Sequence, residues 1–399
     1  MAVSEKTALR HQKWKREILD IIRRTPEASR IQVKRLSGLS MDVTLTLIGE
    51  LLDEGLILPV GKTDSGKAGR KATLLEINPE GAYFIGVRFS AAGISGVLMN
   101  FACSPAAEYR AEFSGQPEEN ELVAGIITCI DTLIAQLGSR RSRLRGIGLG
   151  APGIIEQEDG CIVRYAHIPS IRNLRLRQII EDRFHIPAYL EHGVKCSARA
   201  AISQPEFSSA RDLLFMQTGR GIHMCVIIGG RIHRGMHYLA GEIGHMLCNN
   251  GQTLESLTSS DALCRLARQA ADSGDPTFSS LKTLSAHRLS LENLLDAAAS
   301  GSEGCRNLLM RAGEAVGTAL SSAIMLINPQ DIVLNGTICA SPFFEESMKR
   351  TLAIRCIPES LDGVRIRLIA SDPRQDATGA AMIPFHMQFS ANEDIEGEY

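Results

Sequence analysis

No run in this 399-residue chain approaches the ~18 consecutive apolar residues of a membrane-crossing helix. The opening MAVSEKTALRHQKWKREILD is charged and helical in character rather than signal-like. Both absences point to the cytoplasm, with no membrane partner. Ten cysteines are present, but none forms a C-x-C or C-x-x-C pair. Neither a compact zinc site nor a redox pair is therefore signalled, and free thiols are expected. A large charge of one sign is also missing, since the net charge is −2. That balance conceals an asymmetry: residues 1–80 carry 14 Lys and Arg against 11 acids, and the remainder is net −5. A mildly basic head on an acidic body hints at nucleic acid. The length exceeds one ordinary core and implies two or three domains.

The head reads as helices. Trp14, Ile18, Ile21 and Ile22 recur at helical spacing, Pro26 marks a helix start, and Gly38 falls in a turn. Ser40 is placed to cap MDVTLTLIGELLDEG, whose Val43, Leu47, Leu51 and Leu52 form an apolar face. Two helices joined by a short turn containing Gly are a helix-turn-helix arrangement. The second helix is expected to expose Met41, Asp42, Thr44, Leu45 and Thr46 near its N-terminal half, the part that enters a major groove. Lys34 and Arg35 lie just ahead of the turn. Beyond Gly55, two short strands flank a Gly-rich turn with Lys62, Lys67, Arg70 and Lys71, a basic wing suited to phosphates. The reading helix itself holds no Arg or Lys, so base contacts would fall to Thr44, Thr46 and apolar side chains.

From residue 82 the period becomes that of strands. AYFIGVRFSAAGISGVLMNFACSPAAEYRAEF reads as a meander, followed by a helix over about 117–138 and the strand LRGIGLGAPGII. The helix NLRLRQIIEDRF and the strand AYLEHG come next, and RDLLFMQTGRGIHMCVIIGGRIHRG then starts a second meander. Two such halves suggest a duplicated α/β architecture with ligands bound at strand ends.

These runs, in this order and spacing, resemble the ROK family of repressors, open reading frames and sugar kinases, over about residues 10–385. IGLGAPGII resembles its glycine-proline strand turn, AGEIGH its signature, LINPQDIVLNG its late helix-to-strand passage and ATGAAM its closing helix. GRKATLLEINPEGAYFIGV is similar to the winged-helix junction of the repressor branch. The resemblance implies an α/β protein in which an N-terminal winged helix-turn-helix (1–80) precedes a duplicated ribonuclease-H-like, actin-like ATPase body of two lobes. Their expected bounds are 81–199 and 200–385, with a closing helix that stays in the second lobe or returns to the first. Residues 386–399 are an acidic tail, expected to be disordered.

The resemblance also shows what a kinase would need and this chain lacks. Arg88 and bulky Phe89 stand where family kinases place an Asp and small residues that admit phosphate. QTGRGIHMC keeps Thr218, Gly219 and Gly221 of the second phosphate turn, and LNGTIC keeps Gly336. Where the kinases carry Asn and the catalytic Asp, LEHGVKCS has His192 and Gly193. Glycine accepts no proton, so no catalytic residue is expected. Glu242, His245 and Glu255 match positions that grip sugar hydroxyls; with Gly153 and His192 they are the expected ligand-facing set. An acidic ligand would find His192, Arg172 or Lys195. Only Cys248 remains of the family's zinc loop, so neither metal nor cofactor is expected.

The expected function is that of a transcriptional regulator, with repression favoured, of carbohydrate-related genes. Its partners would be a double-stranded DNA operator, a sugar or sugar-derivative effector, and a second copy in a homodimer or homotetramer. The rivals are a sugar kinase with an appended head and a ligand-independent regulator controlled by a protein partner.

Overall fold

The computed structural model describes residues 2–62, 73–207, 210–248, 251–282 and 289–390. By internal contacts the chain falls into two units, Met1–Ser203 with Pro373–Tyr399, and Gln204–Asp372.

The first unit begins with α1 (Ala2–Arg24), β1 (Ala28–Ser29), α2 (Arg30–Ser37) and α3 (Met41–Asp53). Strands β2 (Ile57–Lys62) and β3 (Thr73–Ile77) follow and pair antiparallel, with β1 on the far edge of β3. The helix expected near Pro26 starts later, at Arg30. Ser29 forms a capping box with Gln32, which satisfies the backbone N–H groups of both residues at the helix start. The turn into α3 passes through Gly38, and the Ser40 hydroxyl accepts from Val43 N–H at 3.4 Å.

The first unit continues with β4 (Tyr83–Ser90), β5 (Gly93–Asn100), β6 (Pro105–Glu112), α4 (Glu119–Ala135) and β7 (Leu144–Ala151). A small antiparallel sheet of β8 (Ile154–Glu156), β9 (Cys161–Tyr165) and β10 (Ile168–Leu174) then intervenes, which the sequence reading missed although Asp159-Gly160 marks its first turn. After it come α5 (Leu176–Phe184), β11 (Ala188–His192) and α6 (Gly193–Ile202). The main sheet has the order β11-β7-β4-β5-β6, parallel from β4 through β7 to β11.

In the second unit, β12 (Leu213–Thr218), β13 (Ile222–Ile228) and β14 (Arg231–His233) form a meander, and α7 (Leu254–Thr258), α8 (Ser260–Asp272), α9 (Leu291–Ala299) and α10 (Glu303–Ile327) follow. Strand β15 (Asp331–Asn335) leads through α11 (Pro342–Arg355) and α12 (Pro358–Leu361) to β16 (Arg365–Ile369). Its sheet order, β14-β13-β12-β15-β16, repeats the first topology strand for strand. Each half is a three-stranded meander whose first strand pairs in parallel with the fourth, and the fourth with the fifth.

The last helix, α13 (Pro373–Phe389), packs on β4, β7 and α6 and thus belongs with the first unit. Of the two placements left open for the closing helix, α13 groups by contacts with the first unit, where Ala377, Ala380, Ala381 and Ile383 are buried. Pro384 sits inside α13 and cannot donate to the Ala380 carbonyl. That carbonyl lies instead against Gly148 of β7, where a Cβ would not fit.

The head does not have a core of its own. Ile18, Ile22, Val33, Leu47 and Leu51 share one apolar cluster with Phe84, Val97, Met99 and Phe101 of the first sheet and with Met382 and Phe385 of α13. Phe385 meets Phe84 edge-on at 5.6 Å, and Arg23 of α1 lies 4.7 Å over the Phe385 ring and 5.2 Å over Phe101. The Arg23 guanidinium also donates to the Phe101 carbonyl at 2.9 Å. Burying one Phe side chain contributes roughly 1.5–3 kcal/mol, so the junction is apolar first and cationic second.

Candidate functional site

The head presents one polar and apolar surface. Met41 and Leu45 are each 40% exposed, Asp42 and Thr46 are exposed, and Lys34 and Arg35 end α2 in solvent. Thr44 departs from expectation. It is fully buried, and its hydroxyl donates to the Ser40 carbonyl at 2.9 Å. The spacing of Thr44, Leu47, Ile48 and Leu51 is the buried stripe of α3, so Thr44 cannot read a base. Thr46 donates to the Asp42 carbonyl at 2.9 Å but keeps its oxygen in solvent. Lys67, Arg70 and Lys71 lie outside the described residues.

At the strand ends of the first sheet the polar groups are matched and, Arg88 apart, buried. Arg88, near the end of β4, places Nε 3.3 Å from the Asp376 carboxylate of α13, which also accepts from the Ser197 hydroxyl at 2.5 Å. Glu191, near the end of β11, is fully buried. It accepts from His192 N–H at 2.9 Å and from Gln157 at 3.3 Å, and Lys195 Nζ stands 3.9 Å away.

His192 is therefore not the exposed histidine expected. It is 8% exposed, and its Nδ1 accepts from Val194 N–H at 3.4 Å as the N-cap of α6. Lys195, also expected to await an anion, is 2% exposed beside Glu191. Arg172 is exposed on β10, where its cross-strand neighbour is Arg164. Gly153 turns the chain between β7 and β8 at φ +83°. The geometry gives it a backbone role.

In the second unit, Glu242 precedes a short 3-10 turn, Ile243–His245, and His245 is exposed at its end. Glu255 reaches back from α7, accepting from Ile222 N–H at 3.0 Å. The sequence reading missed His223. Its Nδ1 stands 3.4 Å from a Glu242 carboxylate oxygen, with the two side chains 27% and 33% exposed. A histidine inside the glycine-rich run QTGRGIHMC was the signal that marked it. The cluster of His223, Glu242 and Glu255, with His245 beside it in sequence, offers donors and acceptors in fixed directions, which suits hydroxyl groups. Cys248 is half-buried and desolvation pushes its thiol up, which disfavours the thiolate that binds metal.

The other turns of this unit close on themselves. Thr218 donates to the Asn335 carbonyl at 3.2 Å, and Gly219 N–H donates to the Gly221 carbonyl at 3.1 Å. Burial pushes the Cys339 thiol beside Thr218 up to about 12.

Comparison with known proteins places this geometry. The model of the ROK family matches residues 100–383. The xylose repressor of Caldicellulosiruptor bescii is 25% identical over 77% of this chain and 78% of its own. The DNA-binding transcriptional repressor Mlc of Escherichia coli is 25% identical over 78% of this chain and 77% of its own. Among solved structures, a ROK family transcriptional regulator described as a homologue of that Escherichia coli protein superposes with a TM-score of 0.81. It is 20% identical and is covered over 97% of this chain and 100% of that one.

Proposed function

The chain belongs to the ROK family, and from that premise we propose that it is a DNA-binding transcriptional repressor of carbohydrate-related genes. In this reading residues 1–80 are a winged helix-turn-helix and the body is a duplicated ribonuclease-H-like pair of lobes that binds a sugar or sugar derivative. The observation that supports it is the joint presence of a capped second helix with Met41, Asp42, Leu45 and Thr46 outward and a similarity to a repressor, the xylose repressor of Bacillus subtilis, over 96% of this chain. The exposed stripe of α3 enters the major groove, while Lys34, Arg35 and the wing cations Lys67, Arg70 and Lys71 take phosphates. A homodimer or homotetramer in the cytoplasm presents paired heads to a palindromic operator.

Against phosphoryl transfer stand Gly193 at the position of the catalytic carboxylate and His192 engaged as a helix cap. Glu242, His245 and Glu255 are the ligand-facing residues of the reading, and no cofactor takes part. Sensing follows if the sugar binds one placement of the heads more tightly than another.

The test is selection of bound fragments from the source genome by the purified full-length chain, with and without a panel of free sugars. Enrichment of palindromic sites, lost in Leu45→Asp and weakened by one sugar, is the expected outcome. A chain that enriches no sequence over random DNA at low salt would sink the proposal.

A further inference from the structure

His223 occupies a position where a glycine-rich turn would otherwise lie open. The turn after β12 runs through Thr218, Gly219 and Gly221, and turns of this composition hold phosphate by leaving backbone N–H groups bare. Here two such groups, in the turn and just after it, are already used. A Cβ built on Gly221 would lie 2.6 Å from His223 Nε2 and 3.4 Å from a Glu255 carboxylate oxygen. The imidazole and the carboxylate therefore pack directly on the turn, and only glycine leaves room for them. The Gly219 N–H is used by the Gly221 carbonyl, and the Ile222 N–H by Glu255. From the other side of its ring, His223 meets Glu242 at 3.4 Å.

We propose that His223 is a specificity-determining residue: it keeps phosphate off the 218–221 turn and holds Glu242 toward an uncharged, hydroxyl-bearing ligand. The charge balance agrees. Arg220 of the turn itself stands 3.6 Å from Asp261, and the remaining two carboxylates against one imidazole leave the cluster negative whichever form the imidazole takes, so a phosphate monoester or a nucleotide meets repulsion. A neutral polyol meets carboxylate acceptors without that repulsion. Glu242 stays about a third exposed, so its carboxylate is reachable from solvent, while His223 Nδ1 is buried beside it. The inference rests on the effector-site reading above only for the polyol; the exclusion of phosphate stands on the turn alone.

The experiment uses the full chain as wild type, His223→Gly, His223→Ala and His223→Gln, each first shown to unfold cooperatively. Inorganic pyrophosphate and magnesium ADP are titrated calorimetrically at constant ionic strength, and D-xylose, D-glucose and N-acetyl-D-glucosamine are screened by thermal unfolding. Wild type and His223→Gln should give no pyrophosphate heat, whereas His223→Gly should bind it roughly tenfold more tightly or better, a factor well above titration error. His223→Ala should fall between them, and it decides the matter if the glycine variant is unfolded. A sugar-dependent shift in wild type should shrink in His223→Ala and return in part in His223→Gln, whose amide keeps a polar group beside Glu242. Pyrophosphate binding by wild type as tight as by His223→Gly, or no gain in either small variant, overturns the proposal. If no sugar shifts wild type while the pyrophosphate gain appears, the effector reading fails and the role of His223 in excluding phosphate remains.

Discussion

At the strand ends of the first sheet, Asp376, Glu191 and Lys195 are buried and spent on partners, Asp376 on the partly exposed Arg88 and Lys195 beside Glu191. At the strand ends of the second, with the same strand order, His223 and Glu242 stay about a third exposed, and His245 stands in solvent. One topology has thus been put to two uses. In the first unit polar groups fasten structure, because Asp376 ties α13 to the sheet and α13 carries Phe385 to Arg23 and the head. In the second they stay partly exposed, as the proposed ligand site requires. Burial decides between the two uses: a fully desolvated charge costs too much to leave for an occasional partner.

The sharpest way to break this contrast is Glu191→Ala. It leaves Lys195 desolvated without its carboxylate and strips acceptors from Gln157 and His192 N–H. A loss of about 3–5 kcal/mol in urea unfolding is expected, the range for breaking a buried ion pair. A loss under about 1 kcal/mol would mean that water reaches this strand end and that the two halves are alike.

Arg23→Ala comes next. Two aromatic faces and one carbonyl lose their cation, for a cost of about 2 kcal/mol. If head and body share one core, a single unfolding transition should persist at a lower midpoint. Two separated transitions would show a head that folds by itself. Glu255→Ala is the matched test in the second unit. It removes a half-exposed acceptor from Ile222 N–H and should cost about 1 kcal/mol, well below Glu191→Ala. Equal losses at Glu191 and Glu255 would erase the contrast.

Much of this architecture could be read from the sequence wherever it depends on neighbours along the chain. Ser40 as a cap, the turn at Gly38 and the two meanders follow from local chemistry, and the motif order carried the family. Thr44 was misplaced because a threonine among leucines looks like the polar face, although its spacing to Leu47, Ile48 and Leu51 is that of the buried one. The fusion of head and body was not legible, since Ile22, Phe101 and Phe385 meet across hundreds of residues and no periodicity links them. His192 looked available for the same reason: Glu191, Gln157 and Lys195 around it are ordinary residues until the fold buries them. Of the proposed ligand-facing residues, Glu242 and Glu255 were named through a motif, whereas His223 had only an unusual place among glycines to mark it.

The smallest expected effect on stability separates the two uses most directly. His245 ends an exposed 3-10 turn, and its backbone N–H donates to the Glu242 carbonyl at 3.1 Å whatever side chain it bears. His245→Ala therefore keeps the turn and should change unfolding free energy by no more than about 0.5 kcal/mol. A residue held for ligand rather than for fold should still matter once ligand is present. Sugar at ~100 times its dissociation constant stabilises wild type by roughly 2.7 kcal/mol, and that increment should vanish in the variant. Thermal unfolding of both proteins, with and without the sugar that shifts wild type, measures the two quantities together. A variant that is destabilised without ligand and still responds to it would place His245 with Glu191, among the groups that hold the fold.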